Sequence, residues 1–142
     1  MAKVVVDASL AAAWCFPDEH TDYTDEVLRI VGTTVDPIAP ALWGYEIHNT
    51  VLMSFKRGRI TKEDVERLLL FLDELNVQLA PPVSYGAVFH LADAHGLTVY
   101  DAAYLDLALR EGTAIATLDK ALRSAARKAG VPLFEIAQST EN

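Results

Sequence analysis

Near the start of the chain stands Lys3-Val4-Val5-Val6-Asp7-Ala8-Ser9. Three consecutive β-branched residues end in an aspartate, and a small residue and a hydroxyl follow. A run that is apolar at every position has no solvent face. It reads as a strand buried on both sides, the kind found in the middle of a parallel sheet. Such a strand demands neighbours in register and helices over both faces, and no other segment here is as restrictive. Asp7 falls where the strand would end, and open parallel sheets collect ligand chemistry at the carboxyl ends of their strands. Asp7 is therefore expected to be the first of several carboxylates converging there.

The rest of the chain alternates to match. Ser9 can cap a short alanine-rich helix, Leu10 to Cys15, which Phe16-Pro17-Asp18-Glu19 breaks. His20 to Val31 carries an apolar helical face and stops at Gly32. Val35 to Ala39 reads as a short strand, weakened by Pro37 and Pro40. Trp43 to Lys56 is a helix with Ile47, Val51 and Leu52 at helical spacing, stopped at Gly58. Thr61 caps the next helix, with Asp64 placed to complete a capping box. The apolar face of that helix is Val65, Leu68, Leu69, Leu72 and Leu75, and Leu70 lies off it. Val77 to Leu79 is a third strand. Ser84 opens a helix from Tyr85 to His95, and Asp101 is expected to cap one from Ala102 to Arg110. Ala114 to Thr117 is a fourth strand with Asp119 just beyond it. Lys120 to Ala129 is a helix closed by Gly130, and Pro132 to Ile136 a fifth strand. Strand–helix alternation in one chain predicts an α/β fold, a parallel sheet of about five strands covered by helices on both faces.

Bulk properties narrow the function. The 142 residues, 51 % apolar, suffice for one real core. No apolar stretch approaches the ~18–20 residues that span a membrane. Met1-Ala2-Lys3 leads straight into the first strand, so no signal peptide is expected. Cys15 is alone, which rules out an intramolecular disulfide and fits a reducing cytoplasm. The net charge of −8 makes non-specific nucleic-acid binding weak, so any such role must rest on a local basic patch or on bound cations.

Four carboxylates occupy comparable positions. Asp7 ends the first strand, Asp119 follows the fourth, and Asp101 opens a helix where its charge meets the positive end of the dipole. Glu46 lies one turn into the long helix, with Asn49 three residues on and sharing its face. Gathered closely, such groups raise one another's pKa, and a hard divalent cation such as Mg²⁺ or Mn²⁺ relieves the repulsion. Each also has a plainer reading: Asp7, Asp101 and Asp119 as helix caps, Glu46 as a solvated helix residue.

The segments Val4 to Ser9, Pro40 through Trp43 to Glu46 and Asn49, Tyr100-Asp101-Ala102-Ala103-Tyr104-Leu105, and Ala116-Thr117-Leu118-Asp119-Lys120-Ala121-Leu122 occur in the order found in PIN domains. The chain resembles that superfamily, and within it the VapC toxins of toxin–antitoxin pairs. The resemblance implies a PIN-like domain over residues 1–136, and the polar residues 137–142 read as a disordered tail. It implies a metal-dependent ribonuclease whose acidic quartet is Asp7, Glu46, Asp101 and Asp119, with Ser9, Asn49 and Thr117 supporting the site or touching substrate. Asp7 and Asp101 are expected as direct ligands of Mg²⁺ or Mn²⁺, and Glu46 and Asp119 directly or through water. The partners implied are RNA, a VapB-like antitoxin with a basic segment, and a second copy in a homodimer. Asp106, five residues after Asp101, points elsewhere round the helix and is left out.

Other features weigh less. His20, His48, His90 and His95 follow no zinc-binding spacing. Lys56, Arg57, Arg59 and Lys62, like Arg123, Arg127 and Lys128, read as solvated helix ends or as RNA-phosphate contacts. Trp14, Phe16 and Trp43 read as core or as part of a partner groove, with Leu70 and Phe71 hinting at spare apolar surface. Two other functions compete: a binding module of the same fold that no longer cleaves, and an aspartate-based phosphatase. The phosphatase lacks support, because Asp7-Ala8-Ser9 has no second aspartate two residues on.

Overall fold

The computed structural model describes residues 2–135. Its centre is a four-stranded, all-parallel sheet in the order β3-β2-β1-β4, built from β1 (Ala2–Val6), β2 (Val35–Pro40), β3 (Gln78–Ala80) and β4 (Ala114–Ala116). Val4, Val5 and Val6 point alternately to opposite faces, yet none is more than 1 % exposed. Both faces of β1 are therefore covered, as a valine run of this kind requires.

The helices are α1 (Ala8–Cys15), α2 (Asp22–Ile30), α3 (Leu42–Lys56), α4 (Lys62–Glu74), α5 (Tyr85–His95), α6 (Val99–Glu111) and α7 (Lys120–Ala129). With this strand order, right-handed crossovers put α1 to α4 on one face and α5 to α7 on the other. The packing agrees. In the first layer α1 meets α2 and α3, and α3 meets α4; in the second, α6 lies across β1, β2 and β4 and touches α5 and α7. Trp14, Phe16 and Trp43 lie inside the core, as the first of their two readings has it.

Several boundaries differ from the sequence expectation, each for a local reason. Asp7, not Ser9, caps α1, its Oδ1 accepting from the Leu10 amide at 3.1 Å. Thr98 caps α6, its hydroxyl accepting from the Asp101 amide at 3.1 Å, so the helix starts earlier and Asp101 sits inside the first turn. The α4 capping box is as expected: Thr61 N–H donates to Asp64 Oδ2 at 2.8 Å and Asp64 N–H to Thr61 Oγ1 at 3.1 Å. Pro37 does not shorten β2. It pairs opposite Val4, and β3 begins only opposite Ile38, so the ring sits where β2 is still an edge. The fifth strand shrinks to one parallel bridge, Ile115 to Leu133, with hydrogen bonds from Ile115 N–H to Pro132 and from Phe134 N–H to Ile115. Ile136, and the tail expected at residues 137–142, lie outside the described residues.

Candidate active site at the strand ends

The strand order contains one reversal. From β1 the chain builds outward through β2 and β3, then returns to add β4 on the other side of β1. Connections leave the carboxyl ends of β1 and β4 towards opposite layers, and a crevice opens between them. Asp7 stands at the end of β1, where its N–H donates to the Ala116 carbonyl of β4 at 3.3 Å. Thr117 and Asp119 follow β4 across that crevice.

Asp7 is 5 % exposed. Ser9 Oγ and the Leu10 N–H donate to its Oδ1, at 2.7 Å and 3.1 Å, and the buried Thr117 hydroxyl donates to its Oδ2. Burial pushes its pKa up to about 6; the Thr117, Ser9 and Leu10 hydrogen bonds oppose that, and the charge of Asp119 adds to it. The two hydroxyls also tie the crevice together. Ser9 Oγ accepts from the Leu118 N–H at 3.2 Å, and Thr117 Oγ1 accepts from the Asp119 N–H at 3.0 Å. Asp119 caps α7, accepting from the Leu122 N–H at 2.9 Å. The capping readings of Asp7 and Asp119 thus hold alongside their place at the crevice.

Glu46, on α3, is half-buried and accepts from the Tyr104 hydroxyl at 2.6 Å. Burial raises its pKa, the Tyr104 hydrogen bond lowers it, and Asp101 raises it again. Asp101 is raised by burial and then by Asp119. Tyr104 is driven well above the ordinary tyrosine range by burial first, then by its bond to Glu46 and by the charges of Glu46, Asp7 and Asp101. These couplings link Asp7 to Asp119, Asp119 to Asp101 and Asp101 to Glu46, so four carboxylates from β1, α3, α6 and the end of β4 share one electrostatic neighbourhood. Among the described residues, no three His, Cys, Asp or Glu side chains close on a point as a finished metal shell. The donor set is nevertheless all carboxylate oxygen, partly desolvated and self-repelling, which is the chemistry a hard divalent cation compensates.

Asn49 is exposed and lines a shallow groove with Tyr45, His48, Leu52 and Leu79. Asp106 accepts from Arg110 Nε at 3.0 Å, on the side of α6 facing Pro40 and Ala80. His20 sits 3.5 Å from Asp25, and His48 Nδ1 lies 2.6 Å from the Gly44 carbonyl. Lys56, Arg57, Arg59 and Lys62 are exposed between α3 and α4, where Arg59 lies 3.9 Å from Asp18. Arg127 and Lys128 are exposed as a solvated helix end should be.

Arg123 departs from that reading. Its Nη1 donates to the Thr117 carbonyl at 2.9 Å, its guanidinium lies 5.8 Å from the centre of the Tyr23 ring, and Glu135 is 3.6 Å away. It braces, from behind, the residue that holds Asp7. Sequence reading missed this role and that of Tyr104. The spacings were available: Arg123 follows Asp119 by one helical turn, and Tyr104 follows Asp101 by three residues.

The PIN domain family model matches residues 4–128, a span that contains all four carboxylates. Ribonuclease VapC3 of Pyrobaculum aerophilum is 36 % identical over 124 residues, which cover 84 % of this chain and 92 % of that protein. Among solved structures, PAE2754 from Pyrobaculum aerophilum matches with a TM-score of 0.67 at 22 % identity, over 87 % of this chain and 79 % of that one. FitAcB from Neisseria gonorrhoeae matches with a TM-score of 0.66 at 17 % identity, over 93 % and 96 %. At such identities these two likenesses speak for the fold alone.

Proposed function

The chain belongs to the PIN-domain family, alongside the VapC ribonucleases, and from that premise we propose that it is a divalent-metal-dependent endoribonuclease acting as the toxin of a toxin–antitoxin pair. The observation that carries this reading is the placement of four carboxylates around the reversal of the sheet: the charge of Asp119 bears on Asp7 and Asp101, and that of Asp101 on Glu46.

Asp7 and Asp101 would hold Mg²⁺ or Mn²⁺ directly, and Glu46 and Asp119 would do so directly or through water. When bound, the ion supplies a water of lowered pKa and stabilises charge on the phosphoryl oxygens and the leaving 3′-oxygen. Ser9 and Thr117 fix the plane of the Asp7 carboxylate by hydrogen bonds to both its oxygens. Asn49, exposed on α3, is left to contact the RNA. With a net charge of −8, phosphate attraction cannot hold RNA by itself, so a cation held by these carboxylates would also favour binding of the phosphate backbone.

The partner is a small antitoxin with a basic residue entering among the carboxylates and an apolar stretch docking beside them. The chain forms a homodimer through its helices and works in the cytoplasm; among the described residues no helix is long and apolar enough to cross a membrane.

The test is cleavage of single-stranded RNA by the purified chain, freed of any partner, with Mg²⁺ or Mn²⁺ and again with EDTA. Metal-dependent cleavage, lost in Asp7→Asn and Asp101→Asn, is the expected result. Cleavage that persists at the same sites in EDTA overturns the metal chemistry, and RNA binding without cleavage favours a non-catalytic module.

A further inference from the structure

Tyr104 follows Asp101 by three residues on α6, so both side chains leave the helix on one side. Its ring belongs to the core, with the residue 2 % exposed. Only its hydroxyl reaches the crevice, where it donates to Glu46 Oε1 at 2.6 Å across 58 residues of sequence. Glu46 Oε2 has no hydrogen-bond partner among the described residues. Glutamate has a long side chain with several rotatable bonds, and this one is half-buried and pushed by the charge of Asp101. Without a fixed donor it would turn towards solvent and away from the other carboxylates.

Building on the metal-nuclease reading, we propose that Tyr104 is a positioning residue: its hydroxyl holds the Glu46 carboxylate within the quartet and leaves Oε2 for a divalent cation or its water. The design resembles the hydrogen bonds that orient metal-binding carboxylates in general, where loss of such a partner typically costs about ten- to a hundredfold in metal affinity or activity. The aromatic ring is the wall and the oxygen is the tool, so Tyr104→Phe removes one without the other.

The experiment compares the full chain with Tyr104→Phe, Glu46→Ala and the double variant. Calorimetric titration with Mn²⁺ measures affinity, and RNA cleavage gives kcat and KM separately. Tyr104→Phe should weaken Mn²⁺ affinity or kcat about ten- to a hundredfold, with KM for RNA nearly unchanged. In the Glu46→Ala background the same change should add no further loss, because the hydroxyl acts only through Glu46. Affinity and kcat equal to wild type overturn the proposal, and so does a loss that adds in full to that of Glu46→Ala. A Tyr104→Phe chain that fails to fold while Glu46→Ala folds also overturns it, since the hydroxyl would then serve the core. If the wild type binds Mn²⁺ but cleaves no RNA, the nuclease reading fails and affinity alone decides: weaker binding by Tyr104→Phe supports the positioning role, and equal binding refutes it. A wild type that binds no Mn²⁺ refutes it as well.

Discussion

Asp7 is pulled in two directions. The fold buries it, which favours the protonated form, and gives its two oxygens three donors, which favours the charged one; burial wins, and the pKa rises from 3.8 to about 6. The sign of the pH dependence follows. An acid whose folded pKa lies above its unfolded pKa destabilises the fold wherever it is ionised, fully above about pH 6 and progressively less as pH falls towards 3.8. A rise of about two units corresponds to about 3 kcal/mol at neutral pH. Asp7→Asn keeps a capping oxygen for the Leu10 amide and removes the charge. In EDTA at pH 7 the variant should melt above the wild type, and the gap should close as the pH is lowered through about 6. Melting curves of both proteins across that range are the check. A gap that does not move with pH would assign the difference to packing rather than ionisation.

At the level of elements, the site depends on two chain crossings being tied together. β1 and β4 are neighbours, but their pairing ends at Val6 and Ala116, and the loops beyond would be free to part. Thr117 prevents this. Its side chain bonds Asp7, its hydroxyl accepts from Asp119, and its carbonyl is held by Arg123 from α7. Thr117→Val keeps the shape and deletes the hydroxyl, leaving a buried carboxylate oxygen without its donor. The expected loss is roughly 1–3 kcal/mol at neutral pH, read as a lower urea midpoint in EDTA. Ser9→Ala should cost less, because Ser9 lies nearer solvent and the Leu10 amide still serves the same Asp7 oxygen. If the two variants fall together, the cross-tie is shared evenly and Thr117 has no special place in it.

For the whole molecule, the quartet couples four elements through repulsion, and the fold carries that repulsion when no cation is present. Asp101 is the informative member because the α6 cap is Thr98 and not Asp101 itself. Its raised pKa, from burial and Asp119, means that its charge disfavours the metal-free fold at neutral pH. Asp101→Asn should therefore abolish RNA cleavage and raise the melting temperature in EDTA, the trade-off expected of a functional site. Mg²⁺ reverses the order of benefit. A hundredfold excess over Kd stabilises a binding-competent fold by about 2.7 kcal/mol, and the wild type should gain more of this than the variant. Melting curves with and without Mg²⁺ decide; a less stable variant in EDTA, with neither protein responding to Mg²⁺, would remove Asp101 from the site.

Much of this was legible in one dimension, and the reason is range. A valine run declares burial on both faces, a Thr61–Asp64 pair declares a helix start, and Gly96, Gly112 and Gly130 take the positive φ at helix ends that other residues avoid. These signals act over a single turn or a few residues of strand, so the chain's own order reveals them. The four carboxylates were also visible as residues in position. Their convergence was expected from the strand-end position of Asp7 and the family resemblance, but how it is achieved was not legible, because it depends on β4 returning beside β1 rather than continuing past β3, a decision made by burial of the entire sheet. The choice of cap was also close: Asp7 or Ser9, Thr98 or Asp101 could each have opened a helix, and the point where the strand or preceding loop releases the chain selected the earlier residue. The Glu46–Tyr104 bond and the Arg123 brace lie beyond any local pattern. Each joins elements that meet only after the core has closed, and Glu46 and Tyr104 become partners because α3 and α6, packed on opposite layers, carry their side chains to the same end of the sheet.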